Sequence, residues 1–156
     1  MKTGAWILAG AIAAAAMMSA TASGSGNHGK VGQTVTVKGQ SRDVVAVSVT
    51  KIQDPLLAYG APGGMRVIGV FFTVKNVGKV KYDDSPSAFL STADGQISGG
   101  LITGGGPCNT PGDIKLTPGQ TRTFCIPFNV GRASKLAFIQ YNTDSGYGTP
   151  AVFAIR

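Results

Sequence analysis

Glutamate is absent from the sequence, histidine occurs once, cysteine twice and tryptophan once, and only 13% of the 156 residues are charged. Each shortage excludes a chemistry. A hydrolase triad needs an imidazole held between nucleophile and orienting acid, and the one imidazole, His28, sits in a short polar stretch near the amino end. Blue-copper chemistry, which gathers His, Cys and usually Met at one centre, fails on the same count. A Ser–Lys dyad is open to the composition, but no G-x-S-x-G elbow presents a nucleophile. Paired-carboxylate catalysis has only seven aspartates to draw on. Asp83 and Asp84 are adjacent, so on a strand they project to opposite faces and cannot flank one bond. The D-x-D-x-D spacing of a calcium loop is also missing, and Asp83–Asp84 reads as a polar turn. The expectation is a chain that is not an enzyme and has no metal or cofactor site.

Long apolar runs are scarce too. The one that exists, Ala5 to Met18, follows the positive Lys2 and precedes Ala20-Thr21-Ala22, small residues at the positions a signal peptidase reads. Residues 1–22 are therefore expected to be a secretory signal cut between Ala22 and Ser23, leaving 134 residues and, with Lys2 gone, a net charge of +6 in place of +7. Fourteen residues fall short of the ~20 that cross a hydrocarbon core, so a retained membrane anchor is not expected. No cysteine lies near the cut to carry a lipid. The next stretch, 23–30 (SGSGNHGK), has no apolar side chain and reads as a disordered leader, His28 included.

In an exported chain the two cysteines, Cys108 and Cys125, are expected to pair. Closing a loop of this length is worth roughly 3 kcal/mol by chain entropy. The rival uses, a thiolate nucleophile or a metal ligand, lack a histidine in the fold to act as base or co-ligand.

What the sequence has in quantity is glycine, 23 residues, and proline, 8, set between short β-branched clusters. From Val31 to Arg156 the apolar period is two. Strands are expected at Val31–Lys38, Val44–Ile52, Arg66–Val77, Val80–Tyr82, Ala88–Thr92, Thr121–Val130, Leu136–Tyr141 and Ala151–Ile155. Val45, Val47 and Val49 share a face, as do Ile68, Val70, Phe72 and Val74, and Phe124, Ile126 and Phe128. Cys125 and Phe71 then point the other way. Between these lie a Pro/Gly loop at Asp54–Gly64 and a Gly-rich stretch from Ile97 to Asp113, whose Gly104–Gly106 run has no helix after it to cradle a phosphate. The domain expected over 31–156 is all-β, an immunoglobulin-like two-sheet antiparallel β-sandwich of about seven or eight strands.

The run of FFTVKNVGKV, SPSAF, LTPGQTRTFCIPFNV and KLAFIQYN after an export signal resembles a bacterial family of exported domains of unknown function with an immunoglobulin-like sandwich, related to a secreted mycobacterial immunoprotective antigen. The resemblance spans about Val31 to Arg156. It implies secretion or surface display, no established enzymatic activity and no catalytic residues to carry over.

The remaining positive feature is charge. Lys75, Lys79 and Lys81 gather near one strand end, with Arg122, Arg132 and Lys135 near another. A basic exported domain is drawn to envelope polyanions; the plainer reading is charge that keeps the domain soluble. Tyr59 and Tyr147, in Gly-flanked loops, suit contact with a protein or glycan. Nucleic acid is not an expected partner, with no recognition motif or helix. The expected function is non-enzymatic binding of an extracellular protein or anionic envelope polymer. The alternative is a small secreted hydrolase or an inhibitor of one.

Overall fold

The computed structural model describes residues 27–57, 60–101 and 108–156. In chain order its strands are β1 (His28–Lys30), β2 (Thr34–Lys38), β3 (Val44–Gln53), β4 (Met65–Asn76), β5 (Tyr82–Asp84), β6 (Ser87–Thr92), β7 (Ile97–Gly99), β8 (Ile114–Leu116), β9 (Thr121–Gly131), β10 (Leu136–Asn142) and β11 (Ala151–Ala154), with one 3-10 turn at Asp144–Gly146. Sheet I has the order β2-β3-β4-β9 and sheet II the order β1-β11-β10-β6-β7; β5 and β8 form a separate ribbon. All pairs are antiparallel except β1 with β11.

The two large sheets pack as a sandwich because alternation gives each a continuous apolar inner face. From sheet I come Val45, Val47, Val49, Ile68, Val70, Phe72, Val74, Phe124, Ile126 and Phe128; from sheet II come Leu90, Ile139, Tyr141 and Phe153, all buried in one cluster. Phe72 stacks on Phe124 at 5.8 Å between centroids and meets Tyr141 of the facing sheet at 5.5 Å. Such aromatic pairs add to the area they bury.

Eleven strands replace the seven or eight expected. The additions, β1, β7 and β8, have three residues each, too few for a period of two to show. The leader over 23–30 needs correcting at its end, while Ala22 and Ser23 lie outside the described residues. Residues 28–30 form β1, and Asn27 O accepts a hydrogen bond from Val152 N at 2.9 Å. An edge strand is held by backbone hydrogen bonds and needs no apolar side chain. Gly29 matters here, because a Cβ would stand 2.8 Å from Val35 Cγ2. The first long strand accordingly starts at Thr34, after a turn at Gly32, whose φ of 88° suits glycine.

The outer face of sheet I carries a second, smaller core. Cys108 and Cys125 are joined with their Cα atoms 4.8 Å apart, and the bridge packs with Leu56, Val67 and Phe71. Gly69 makes room in mid-strand: a Cβ there would lie 3.2 Å from Cys125 Sγ and 3.3 Å from Leu56 Cδ2. The Pro/Gly loop is thus drawn onto the sheet, with Leu56 N donating to Val67 O at 2.7 Å.

Candidate functional site

The other half of that outer face is open. Alternation sends Thr34, Thr36 and Lys38 outward from β2, Ala46 and Ser48 from β3, Thr73 and Lys75 from β4, and Thr121 and Thr123 from β9, while Val35, Val47, Val74 and Phe124 fill the interior between them. Register then aligns them. Thr34 pairs with Ser48, Ser48 with Thr73 and Thr73 with Thr123, placing four hydroxyl side chains in one row across four strands. At ~4.8 Å per strand the row is about 14 Å long. Thr73 Oγ1 and Thr123 Oγ1 are 2.9 Å apart and hydrogen-bonded. The next row is Thr36, Ala46, Lys75 and Thr121.

An irregularity in register between Val49 and Lys51 turns Thr50 and Lys51 both outward. Thr50 Oγ1 donates to Phe71 O at 3.3 Å, and Lys51 Nζ stands 5.2 Å from the centre of the Phe71 ring. The rows are thus framed by three exposed ammonium groups, Lys38, Lys51 and Lys75, and none of the outward residues in them is acidic.

The residues anticipated as partner contacts divide. Lys75 belongs to this face. Lys79 and Lys81 lie in the connection from β4 to β5, which folds back on β3 through Gly78 N and Val44 O at 3.0 Å. Lys81 is paired with Asp83 at 2.9 Å, and Lys115 reaches the same carboxylate at 3.9 Å. The Lys81 hydrogen bond, ahead of the nearby charges, holds the Asp83 carboxyl below its ordinary range. Lys81 is therefore engaged within the protein. Tyr147 is 83% exposed, and its carbonyl accepts from Gln40 Nε2 at 2.9 Å; Tyr59 lies outside the described residues. The threonine row and the lysines Lys38 and Lys51 are not singled out by the sequence, although T-V-T at 34–36 and T-R-T at 121–123 are visible in it. What brings them together is strand register.

Two further features lie away from this face. Tyr82 OH donates to Asp84 Oδ2 at 3.1 Å and lies 2.9 Å from Tyr141 OH, while Asp84 Oδ1 accepts Ser145 N at 2.8 Å. Burial pushes both phenols above their ordinary range, and the network ties ribbon to sheet rather than opening on solvent. A cleft of about 490 Å³ lies where Ser85 to Phe89, Gly99–Gly100 and Thr110 to Gly112 meet over Ile126; no ionisable side chain lines it. Among the described residues no group of three or more His, Cys, Asp or Glu could hold a metal ion, and no helix is long and apolar enough to cross a membrane.

No protein-family model matches the chain, and no curated protein matches it. Solved structures do. A secreted protein from Mycobacterium tuberculosis, MPT63, aligns with 20% identity and a TM-score of 0.63, covering 85% of this chain and all of that one. An uncharacterised β-sandwich protein from Clostridium difficile aligns at 13% identity and TM-score 0.51, over 85% of this chain and 95% of its own. The yjhA protein from Bacillus subtilis aligns at 10% and 0.56, over 81% and 98%. At these identities the likeness is one of fold, and the fold this chain shares is that of a β-sandwich found in a secreted mycobacterial protein and in proteins of unassigned function.

Proposed function

We propose that the protein is a non-enzymatic binding domain that works outside the cell and holds an anionic envelope polymer against the open half of sheet I. The observation that carries this reading is the row Thr34–Ser48–Thr73–Thr123 framed by Lys38, Lys51 and Lys75 with no carboxylate among its outward residues. Threonine and serine hydroxyls donate to phosphate oxygens or accept from polyol hydroxyls, and ammonium groups supply attraction at long range. The net positive charge, +7 for the full sequence and +6 once the signal with Lys2 is removed, acts in the same direction. Export is supported by the signal-like amino end, the disulfide and a fold shared with a secreted protein.

The test is binding to poly(glycerol phosphate) at increasing salt, with a neutral polysaccharide as control. Replacing Lys38, Lys51 and Lys75 together by Gln should weaken binding on the order of 100-fold, from about 1 kcal/mol for each lysine near an anionic surface. Affinity that ignores both salt and the triple substitution would remove the proposal.

A further inference from the structure

The margin between the two sheets has a different chemistry from the lysine face. We infer that the 490 Å³ cleft there binds the acyl chain of a neutral, hydroxyl-headed amphiphile such as a monoacylglycerol. Its volume lies in the ~300–1,000 Å³ range of small-molecule pockets. The cleft reaches the core, because Ile126, almost fully buried among the interior residues, is part of its wall. Gly100 lies directly against Ile126, where a Cβ would come 2.6 Å from Cγ2, and at Gly112 on the other lip a Cβ would meet nothing within 4 Å.

Phe89 connects the cleft to the surface. It lines the cleft, is 38% exposed and stands on the outer face of sheet II. On that face Phe138 pairs with Ser91 and Ser91 with Ile97, so Phe138, 51% exposed, and Ile97, 71% exposed, lie in the adjoining row. The apolar surface thus continues from the cleft past Phe89 to Phe138 and Ile97, which flank Ser91 on either side. Covering such a strip removes apolar surface from water along its whole length.

The polar rim selects the head group. Thr110 Oγ1 donates its proton to Leu101 O at 2.6 Å, and Ser85 Oγ donates to Asp113 Oδ1 at 2.7 Å. With those protons committed, both hydroxyls offer lone pairs to a ligand, beside the Asp113 carboxylate. A ligand hydroxyl can donate to them. A carboxylate or phosphate head would bring further acceptors. Arg122 touches the Asp113 carbonyl at 3.4 Å and does not line the cleft.

The experiment is a titration of isotope-labelled protein, as recovered from export, with 1-monolauroylglycerol below its micelle concentration, in parallel with laurate at neutral pH. Saturable one-to-one binding is expected, with amide shifts centred on Ala88, Phe89, Gly100 and Ile126 and an affinity at least fivefold above that of laurate. Gly112→Phe, which places a ring in the open lip, should lower the affinity at least tenfold with the melting temperature kept. If that variant does not fold, Ser87→Leu blocks the cleft from the β6 side. Shifts confined to Phe138 and Ile97, absence of saturation, undiminished binding by a folded blocking variant, or laurate binding as tightly as the glycerol ester would each overturn the inference.

Discussion

Phe71 and Phe72 are successive residues of β4 with different surroundings. Phe72 is fully buried between Phe124 and Tyr141, and Phe71 leans on the disulfide and under Lys51. Phe72→Ala should destabilise by about 3–5 kcal/mol through lost burial and a cavity. Phe71→Ala should cost less, about 1–3 kcal/mol, because its ring is only partly covered. Denaturant titration of both decides it, and the larger loss at Phe71 would contradict the register. The buried phenols give a second comparison. Tyr82→Phe leaves Asp84 Oδ2 without its donor, whereas Tyr141→Phe leaves the Tyr82–Asp84 bond intact. The first should be the more damaging, by about 1–3 kcal/mol for an unsatisfied buried acceptor, and thermal melts of the two variants test it.

At the scale of elements, the turn from β2 to β3 holds a group the fold opposes. Asp43 is 4% exposed, no other residue donates to either carboxylate oxygen, and a Cβ on Gly39 would overlap them. Burial, and after it Asp144 and Asp84, raises the Asp43 carboxyl above its ordinary value, against a lowering by its own backbone amide. The sign follows from linkage. Below the unfolded value of 3.8 the group is neutral in both states and costs nothing; as pH rises through the folded value, stability is lost, and it stays lost at neutral pH. Asp43→Asn should therefore flatten the fall in stability between pH 4 and 7, measured by melting across that range. An unchanged pH profile would show that Asp43 ionises without penalty.

The same scale shows what the sequence discloses. The inner faces of β3, β4 and β9 are legible because each strand is long enough to display alternation, and Cys125 pointing away from Phe124 and Ile126 follows from the same count. β1, β7 and β8 are illegible, since three residues are too few to display alternation, and β1 and β8 are defined by backbone pairing with distant strands. The hydroxyl row is illegible for a related reason: Thr34 and Thr123 are separated by 89 positions and meet only through two intervening strands. Arg66 is another case. Its guanidinium grips Asp54 at 2.8 and 3.1 Å and the carbonyls of Gly131, Arg132 and Ser134, a role no local motif announces.

For the molecule as a whole, the two outer surfaces differ in kind, and the difference can be tested by exchange. Sheet I presents hydroxyl and ammonium groups, and sheet II presents Phe89, Ile97 and Phe138, the one ammonium group among its strand residues being Lys30 at the β1 edge. Electrostatic attraction is screened by salt, while burial of apolar surface is not weakened by it. Adsorption through sheet I should therefore fade as salt rises, and adsorption through sheet II should persist. Replacing Lys38, Lys51 and Lys75 by Gln should abolish retention on an anionic polymer at low salt and leave retention on an alkyl matrix at high salt unchanged. Ile97→Ser with Phe138→Ser should do the reverse; the lysine set should change stability by no more than about 0.5 kcal/mol per site, and the half-buried Phe138 by about 1–2 kcal/mol. Loss of both retentions from either set would mean that one surface performs both tasks, and the separation of faces argued from register would fall.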